Sequence, residues 1–261
     1  MKKLLLIILV SLAASNLAFA QISDAHIKQK PTTKKAIFID GKFKLMADYF
    51  QGTKVDNKLT GGVMLIHDCN ATRKNNDALA KLLNKQGLFV LNVDLRGYGE
   101  SIEGGFSQKS IRKNAKNIKS YNEAFAALNS YWPKDMLKAF KWLRNKVDKS
   151  KQIAVVSYGC AVSQAVAVAE KMRVNSLVII SPDMKYTDKE RYKNLIDTPT
   201  YFISALQDID SYKTTQELFE WSGSRNSKMQ IFKGNYASHA LLRHYKGITE
   251  DISNWLQQNL K

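Results

Sequence analysis

The sequence predicts a single α/β domain built on a mainly parallel sheet of about eight strands, and three observations predict it. From residue 36 onward, short runs rich in β-formers alternate with helical patterns of about 10–15 residues. That alternation implies strand–helix–strand units and a sheet covered on both faces. The chain is long enough to bury one substantial core. It also carries no internal repeat, low-complexity tract or linker rich in Pro, Gly or Ser.

The elements follow in order. Residues 36–39 and 43–50 suit a hairpin around Asp40-Gly41. Residues 63–66, bounded by Gly61-Gly62, form a short apolar run that suits a buried strand. Residues 76–86 place Leu79, Leu82 and Leu83 on one helical face, and Gly87 stops that helix. Residues 88–93 are the next strand. Residues 132–147 read as a helix with Pro133 in its first turn and Met136, Phe140, Leu143 and Val147 inward. A strand at 153–156 is followed at 161–172 by a small-residue helix able to approach a sheet closely. Strands at 176–180 and 200–204, a helix at 213–221 and a strand at 229–232 come next. An amphipathic helix at 248–260 closes the chain, with Ile252, Trp255 and Leu256 inward. In such a sheet, ligands bind beyond the carboxyl ends of the strands.

Residues 1–20 read as a processing signal. Lys2 and Lys3 form a positive start, residues 4–10 and 12–14 an apolar core, and Ala18-Phe19-Ala20 a small-x-small cleavage pattern. Ser11, Ser15 and Asn16 interrupt the apolar core. It is therefore short for the roughly 20 apolar residues of a spanning helix. The expectation is a mature protein that starts at Gln21, has no transmembrane helix and is periplasmic or secreted. No cysteine follows the cleavage site, which argues against lipid attachment there. Residues 21–34 are polar and basic and are expected to form a loose arm, with the domain spanning 35–261.

The net charge is +17, or +15 without Lys2 and Lys3. Such an excess favours anionic partners such as lipid head groups or acidic polymers. No block of five like charges occurs, so an ordinary lysine-rich surface is the simpler reading. The densest stretch is Lys109, Arg112, Lys113, Lys116 and Lys119, whose spacing also suits the wet face of a helix. An exported chain without a nucleic-acid motif is not expected to bind nucleic acid. Four scattered histidines and two cysteines make no metal-ligand spacing, and neither metal nor cofactor is expected.

At the strand ends the residues become specific. Asp94-Leu95-Arg96-Gly97-Tyr98-Gly99-Glu100-Ser101 resembles the D-x-R-G-x-G-x-S turn of α/β-hydrolases. His67-Asp68 resembles that family's His-Gly pair. Pro199, leading a strand that ends near Asp208, resembles the segment carrying the triad acid, and His239 falls where the triad histidine belongs. The four landmarks come in the family's order and span residues 36–260. The resemblance implies an α/β-hydrolase fold, an esterase-, lipase- or peptidase-like ancestry, and a site made from these loops.

The nucleophile elbow departs from the family. Its G-x-S-x-G sits on a sharp strand-to-helix turn. Here Ser157-Tyr158-Gly159-Cys160-Ala161 stands in register, so Gly159 replaces the serine. Glycine adopts the strained elbow backbone without cost, and it removes the attacking group. Loss of a triad nucleophile costs about a million-fold in turnover. Three rescues are open: Cys160 as nucleophile with His239 and Asp208, Ser157 two residues early, or water activated by His239 and Asp208. Cys160 would open a helix, where the dipole lowers a thiol pKa. One step along the turn, however, swings it away from His239. The plainer reading of His239 is a residual histidine bonded to Asp208. His67 is expected to shape its loop, and His26 and His244 to lie on the surface.

The resemblance also gives the cysteines meaning. In the family, the oxyanion hole uses backbone N–H groups of the residue after the nucleophile and of the loop after the third strand. Cys160 and Cys69 hold those places, and His67, Asp68, Cys69 and Tyr158 are the implied binding residues. A Cys69–Cys160 disulfide across the former oxyanion hole is expected, closing a loop of about 92 residues. Two partly buried free thiols are the alternative. Only eighteen residues separate the strand at 176–180 from Pro199, among them Lys185, Tyr186, Arg191, Tyr192 and Lys193. That is too short for a lid domain, so an open cleft with a basic, aromatic rim suited to a bulky or anionic ligand is expected.

Three functions are thereby in play. The leading one is an exported protein of impaired catalysis that binds a small-molecule or envelope-derived ligand, or a partner, through the old cleft. The second is an active hydrolase of ester, thioester or peptide bonds using Cys160 or another nucleophile. The third is an envelope-associated protein acting on an anionic surface through its basic face.

Overall fold

The computed structural model describes residues 33–52, 54–55, 58–59, 61–103 and 107–260. The expected leader and residues 21–32 of the expected arm lie outside them. Thr33 and Lys34, also assigned to that arm, already belong to the first strand. β1 (Thr33–Asp40) and β2 (Phe43–Phe50) form the expected hairpin about Gly41, paired along their whole length from Thr33↔Phe50 to Asp40↔Phe43. β3 (Lys54–Val55) and β4 (Lys58–Leu59) make a separate small hairpin. β5 (Gly62–Ile66) leads through a 3₁₀ turn at Arg73–Asn76 into α1 (Asp77–Lys85) and β6 (Phe89–Val93).

Then come α2 (Gln108–Asn114), α3 (Ile118–Asn129) and α4 (Trp132–Lys146). β7 (Ile153–Tyr158) turns through a 3₁₀ segment at Gly159–Ala161 into α5 (Val162–Lys171). The chain ends as β8 (Ser176–Ile180), α6 (Tyr186–Tyr192), β9 (Thr200–Ala205), α7 (Ile209–Trp221), β10 (Lys228–Phe232), α8 (Ser238–His244) and α9 (Ile248–Asn259).

The main sheet has eight strands in the order β1-β2-β6-β5-β7-β8-β9-β10. β1 and β2 are antiparallel, and every pairing from β6 to β10 is parallel. Every residue of β5 through β9 is buried, as strands with helices on both faces require. One core lies between the sheet and α4, α5 and α7, with Met136, Phe140, Leu143, Val166 and Leu218 at its centre. The other packs α1, α8 and α9 on the opposite face through Leu79, Leu83, Leu241, Ile252 and Leu256. No helix of the described residues is long and apolar enough to cross a membrane.

This strand order decides where a site can form. From β5 the chain moves to β6 on one side, and from β7 it moves to β8 on the other, although β5 and β7 are neighbours. The loops after β5 and β7 therefore diverge and leave a crevice at this switch point. Asp68-Cys69 and Gly159-Cys160 border that crevice.

Candidate active site

The Asp94–Ser101 turn is structural. The Asp94 carboxylate accepts hydrogen bonds from the Arg73 and Glu100 N–H groups at 2.8 and 2.9 Å and pairs with the buried Arg73 guanidinium. Arg73 also meets Asp48 and Glu100, at 2.9 and 3.1 Å. Burial alone would depress the Arg73 pKa, but these carboxylates overcome it and hold the group above its ordinary value. Arg96 grips Asp135 with two 2.8 Å hydrogen bonds and lies on the Phe43 ring. The Ser101 hydroxyl accepts from the Met46 N–H at 2.8 Å. The motif thus ties β2, β6 and α4 together below the site.

His67 locks the loop after β5. Its Nδ1–H donates to the Asp68 carbonyl at 2.7 Å, and its Nε2 accepts from the Leu95 N–H at 3.0 Å. Both ring nitrogens are used by a neutral imidazole, and burial pushes its pKa down. These two bonds tie the start of the loop after β5 to the turn after β6.

At the elbow, Gly159 has φ +53°, a left-handed conformation that L side chains rarely adopt. The space above it is already filled. A Cβ on Gly159 would lie 2.7 Å from Asp68 Cγ and closer still to its Oδ1. The carboxylate of Asp68 therefore occupies the place from which a nucleophile would project. Asp68 stands where the family has glycine, so the two departures from the family pattern fit each other.

Beside this pair, Cys69 and Cys160 are joined as a disulfide, with their Cα atoms 6.0 Å apart. The Cys69 N–H points at the Cys160 Sγ at 3.1 Å. The bridge crosses the crevice between β5 and β7 and occupies Cys160, the first alternative nucleophile. Ser157, the second, is completely buried within β7.

The histidine sits in a buried chain of hydrogen bonds. The His239 Nε2–H donates to Asn76 Oδ1 at 2.8 Å, Asn76 Nδ2 donates to Asn92 Oδ1 at 3.1 Å, and Asn92 Nδ2 donates to the Arg73 carbonyl at 2.7 Å. The ring stacks on buried Tyr158 at 4.1 Å between centroids. Burial, with lesser contributions from His67 and Arg243, pushes its pKa down to about 3. Among the described residues, no hydrogen bond joins it to Asp208. The expected His239–Asp208 bond is corrected accordingly: Asn76, at the entry to α1, has taken the imidazole. Ser238, just before His239, has φ +49°, and its N–H donates to the Ser181 hydroxyl at 2.9 Å; Ser181, at the end of β8, has φ +47°. Two strained serines thus hold the histidine loop against the sheet.

The Asp208 pKa is raised, first by burial and then by the carboxylates of Asp210, Asp183 and Asp68, with the Ser211 hydroxyl opposing. These acids gather around the ends of β5, β8 and β9, which changes the expected character of the rim. Arg191 is paired with Glu170 and Asp188, and Lys193 with Glu190 at 2.8 Å, while Tyr192 is buried in the core. Lys185 and Tyr186 of the expected basic, aromatic set are exposed, and among the described residues Lys185 forms no ion pair. The carboxylates of Asp208, Asp210, Asp183 and Asp68 thus lie near one another at these strand ends, while Arg191 and Lys193 are held by acidic partners. His244 stacks on Tyr236 at 3.7 Å, and His26 lies outside the described residues. Asp68 lies against the disulfide, with its carboxylate within 4.8 Å of the Cys69 and Cys160 sulfurs.

A parallel sheet with a strand–turn–helix elbow at its switch point, and acid and histidine loops following in order, defines a hydrolase scaffold. The family profile described as alpha/beta hydrolase fold matches residues 62–259, and the chain belongs to that family. No curated protein matches the sequence. Among solved structures, a dienelactone hydrolase from Anabaena variabilis superposes with TM-score 0.63 at 17% identity, covering 88% of this chain and 99% of that one. An esterase from Pyrococcus furiosus has TM-score 0.59 at 14% identity, covering 88% and 94%. A zinc-bound cold-adapted esterase from an Arctic intertidal metagenomic library has TM-score 0.60 at 13% identity, covering 90% and 96%. At such identities the likeness establishes the fold alone.

Proposed function

We propose that this chain is an exported, non-hydrolytic member of the α/β-hydrolase family that binds a small-molecule or envelope-derived ligand, or a partner, at the cleft beyond its strand ends. The observation that carries this reading is the elbow: Gly159 offers no nucleophile, and Asp68 fills the space one would need. Cys160 is committed to a disulfide, and His239 is a buried neutral donor to Asn76 rather than a base beside a hydroxyl. Without a nucleophile, loss of turnover is about a million-fold. The leader-like residues 1–20 and a disulfide both suit an oxidising, extracytoplasmic compartment. The carboxylates gathered at the strand ends favour a neutral or cationic ligand.

The test is hydrolysis of p-nitrophenyl acetate and butyrate by the protein and by its His239→Ala variant. Both are expected to match a non-enzymatic protein control. Turnover above that control in the parent, abolished by His239→Ala, would overturn the reading and restore a catalytic role for the histidine.

A further inference from the structure

The basic stretch noted in the sequence is folded into a built surface. α2 and α3 are each closed by a capping residue: the Ser107 hydroxyl accepts from Ser110 N–H at 3.0 Å, and Asn117 Oδ1 accepts from Ser120 N–H at 2.9 Å. Ile111 of α2 and Leu128 of α3 face inward, and Gln108 N–H donates to the Gly97 carbonyl at 3.0 Å. This anchorage leaves Lys109, Arg112, Lys113, Lys116 and Lys119 exposed on α2, on the start of α3 and on the turn that joins them. Among the described residues, none of the five forms an ion pair, in contrast to the paired cations of α6. No acidic residue occurs between Glu103 and Glu123. Between Lys116 and Lys119, at the first residue of α3, Ile118 is 74% exposed, more than any other large apolar side chain described.

We propose that the α2–α3 corner docks on an anionic lipid surface, with Lys109, Arg112, Lys113, Lys116 and Lys119 at the head groups and Ile118 at the acyl boundary. Unpaired cations on a rigid corner complement an anionic leaflet, where each strengthens partition by roughly fivefold. A soluble polyanion would use the cations but gain nothing from Ile118. An aliphatic side chain ringed by cations gains only where an apolar phase lies beneath the charge. This docking is independent of the cleft and of whether the elbow is catalytic.

The experiment is co-sedimentation of protein expressed from the full chain with vesicles of equal parts phosphatidylcholine and phosphatidylglycerol. Vesicles of phosphatidylcholine alone serve as the reference, and heparin retention is measured alongside. Binding is expected only to the anionic vesicles. It should fall steeply as salt rises from about 0.1 to 1 M, which shortens the screening length from about 10 to 3 Å. Combined Lys109→Ala, Arg112→Ala and Lys113→Ala substitutions should weaken it about a hundredfold. Ile118→Asn should weaken vesicle binding by about fivefold or more while leaving heparin retention unchanged. All four positions are exposed, and an unchanged melting temperature verifies that the variants fold. Equal binding to both kinds of vesicle, or undiminished binding by the triple variant, would overturn the proposal. Indifference of vesicle binding to Ile118→Asn would do so too and would make a soluble polyanion the partner.

Discussion

Gly159 and Asp68 explain each other. The positive φ at Gly159 strains any other residue by about 1–2 kcal/mol, and a side chain there would also have to displace the Asp68 carboxylate. Gly159→Ser is expected to lower unfolding stability by roughly 2–3 kcal/mol, read from urea midpoints. Adding Asp68→Gly should return the steric share, giving an interaction energy of about 1 kcal/mol or more in a double-mutant cycle. Strict additivity would mean that Asp68 does not hold the space. Gly159 was legible in the sequence because an elbow is a local turn, fixed by the strand before it and the helix after it. The placement of Asp68 was not, because which way a carboxylate leans is decided by a loop 91 residues away. Asn76 left no signal at all. It reads as a helix boundary, and its bond to His239 spans 163 residues.

At the scale of elements, long periodic segments and apolar strands were legible, with β8 found at its full extent and α4 and α9 to within a residue. The short helices were not. α2 buries only Ile111 and α6 only Tyr192, so neither has the repeated apolar positions from which a helical period is read. β1 runs three residues earlier than its apolar pattern because pairing with β2 extends it to Thr33. The elements β5 and β7 are further linked by Cys69–Cys160, which spans 91 positions. On the chain-entropy model, opening this bridge costs up to about 4–5 kcal/mol. Reductant should therefore lower the urea midpoint of the parent and leave that of a Cys69→Ser/Cys160→Ser variant unmoved. Intact mass after alkylation should show neither cysteine modified until reductant is added. Rapid alkylation of Cys160 in the untreated folded protein would show that the bridge is absent.

For the whole molecule, two buried neutral histidines set the response to acid. His239 has its pKa pushed down to about 3 and His67 is pushed down as well, both by burial. An unfolded histidine titrates near 6.5, so below that pH the unfolded chain binds protons that the folded one excludes. The contribution of His239 is therefore full above about pH 6.5 and falls as pH drops toward 3, by about 1.4 kcal/mol per pH unit, and His67 adds a loss of the same sign. Asp40, Asp48 and Glu100, whose pKa values are lowered by their cationic partners, add a loss of the same sign at still lower pH. Urea midpoints at pH 7.5 and 5 should differ accordingly, and His239→Phe should make that difference smaller by one proton's share. An unchanged difference would mean that His239 takes up its proton while folded. The net charge and its densest stretch, from Lys109 to Lys119, were legible from the start, but the gathering of Asp68, Asp183, Asp208 and Asp210 at the strand ends required the fold.

The fit of Asp68 over Gly159 also bears on the redesign of the chain. A serine placed at position 159 would start against a carboxylate already there, so Asp68 would have to swing aside or be shortened before a new hydroxyl could face the crevice. Installing a nucleophile in this chain is thus a two-site design problem rather than a single substitution.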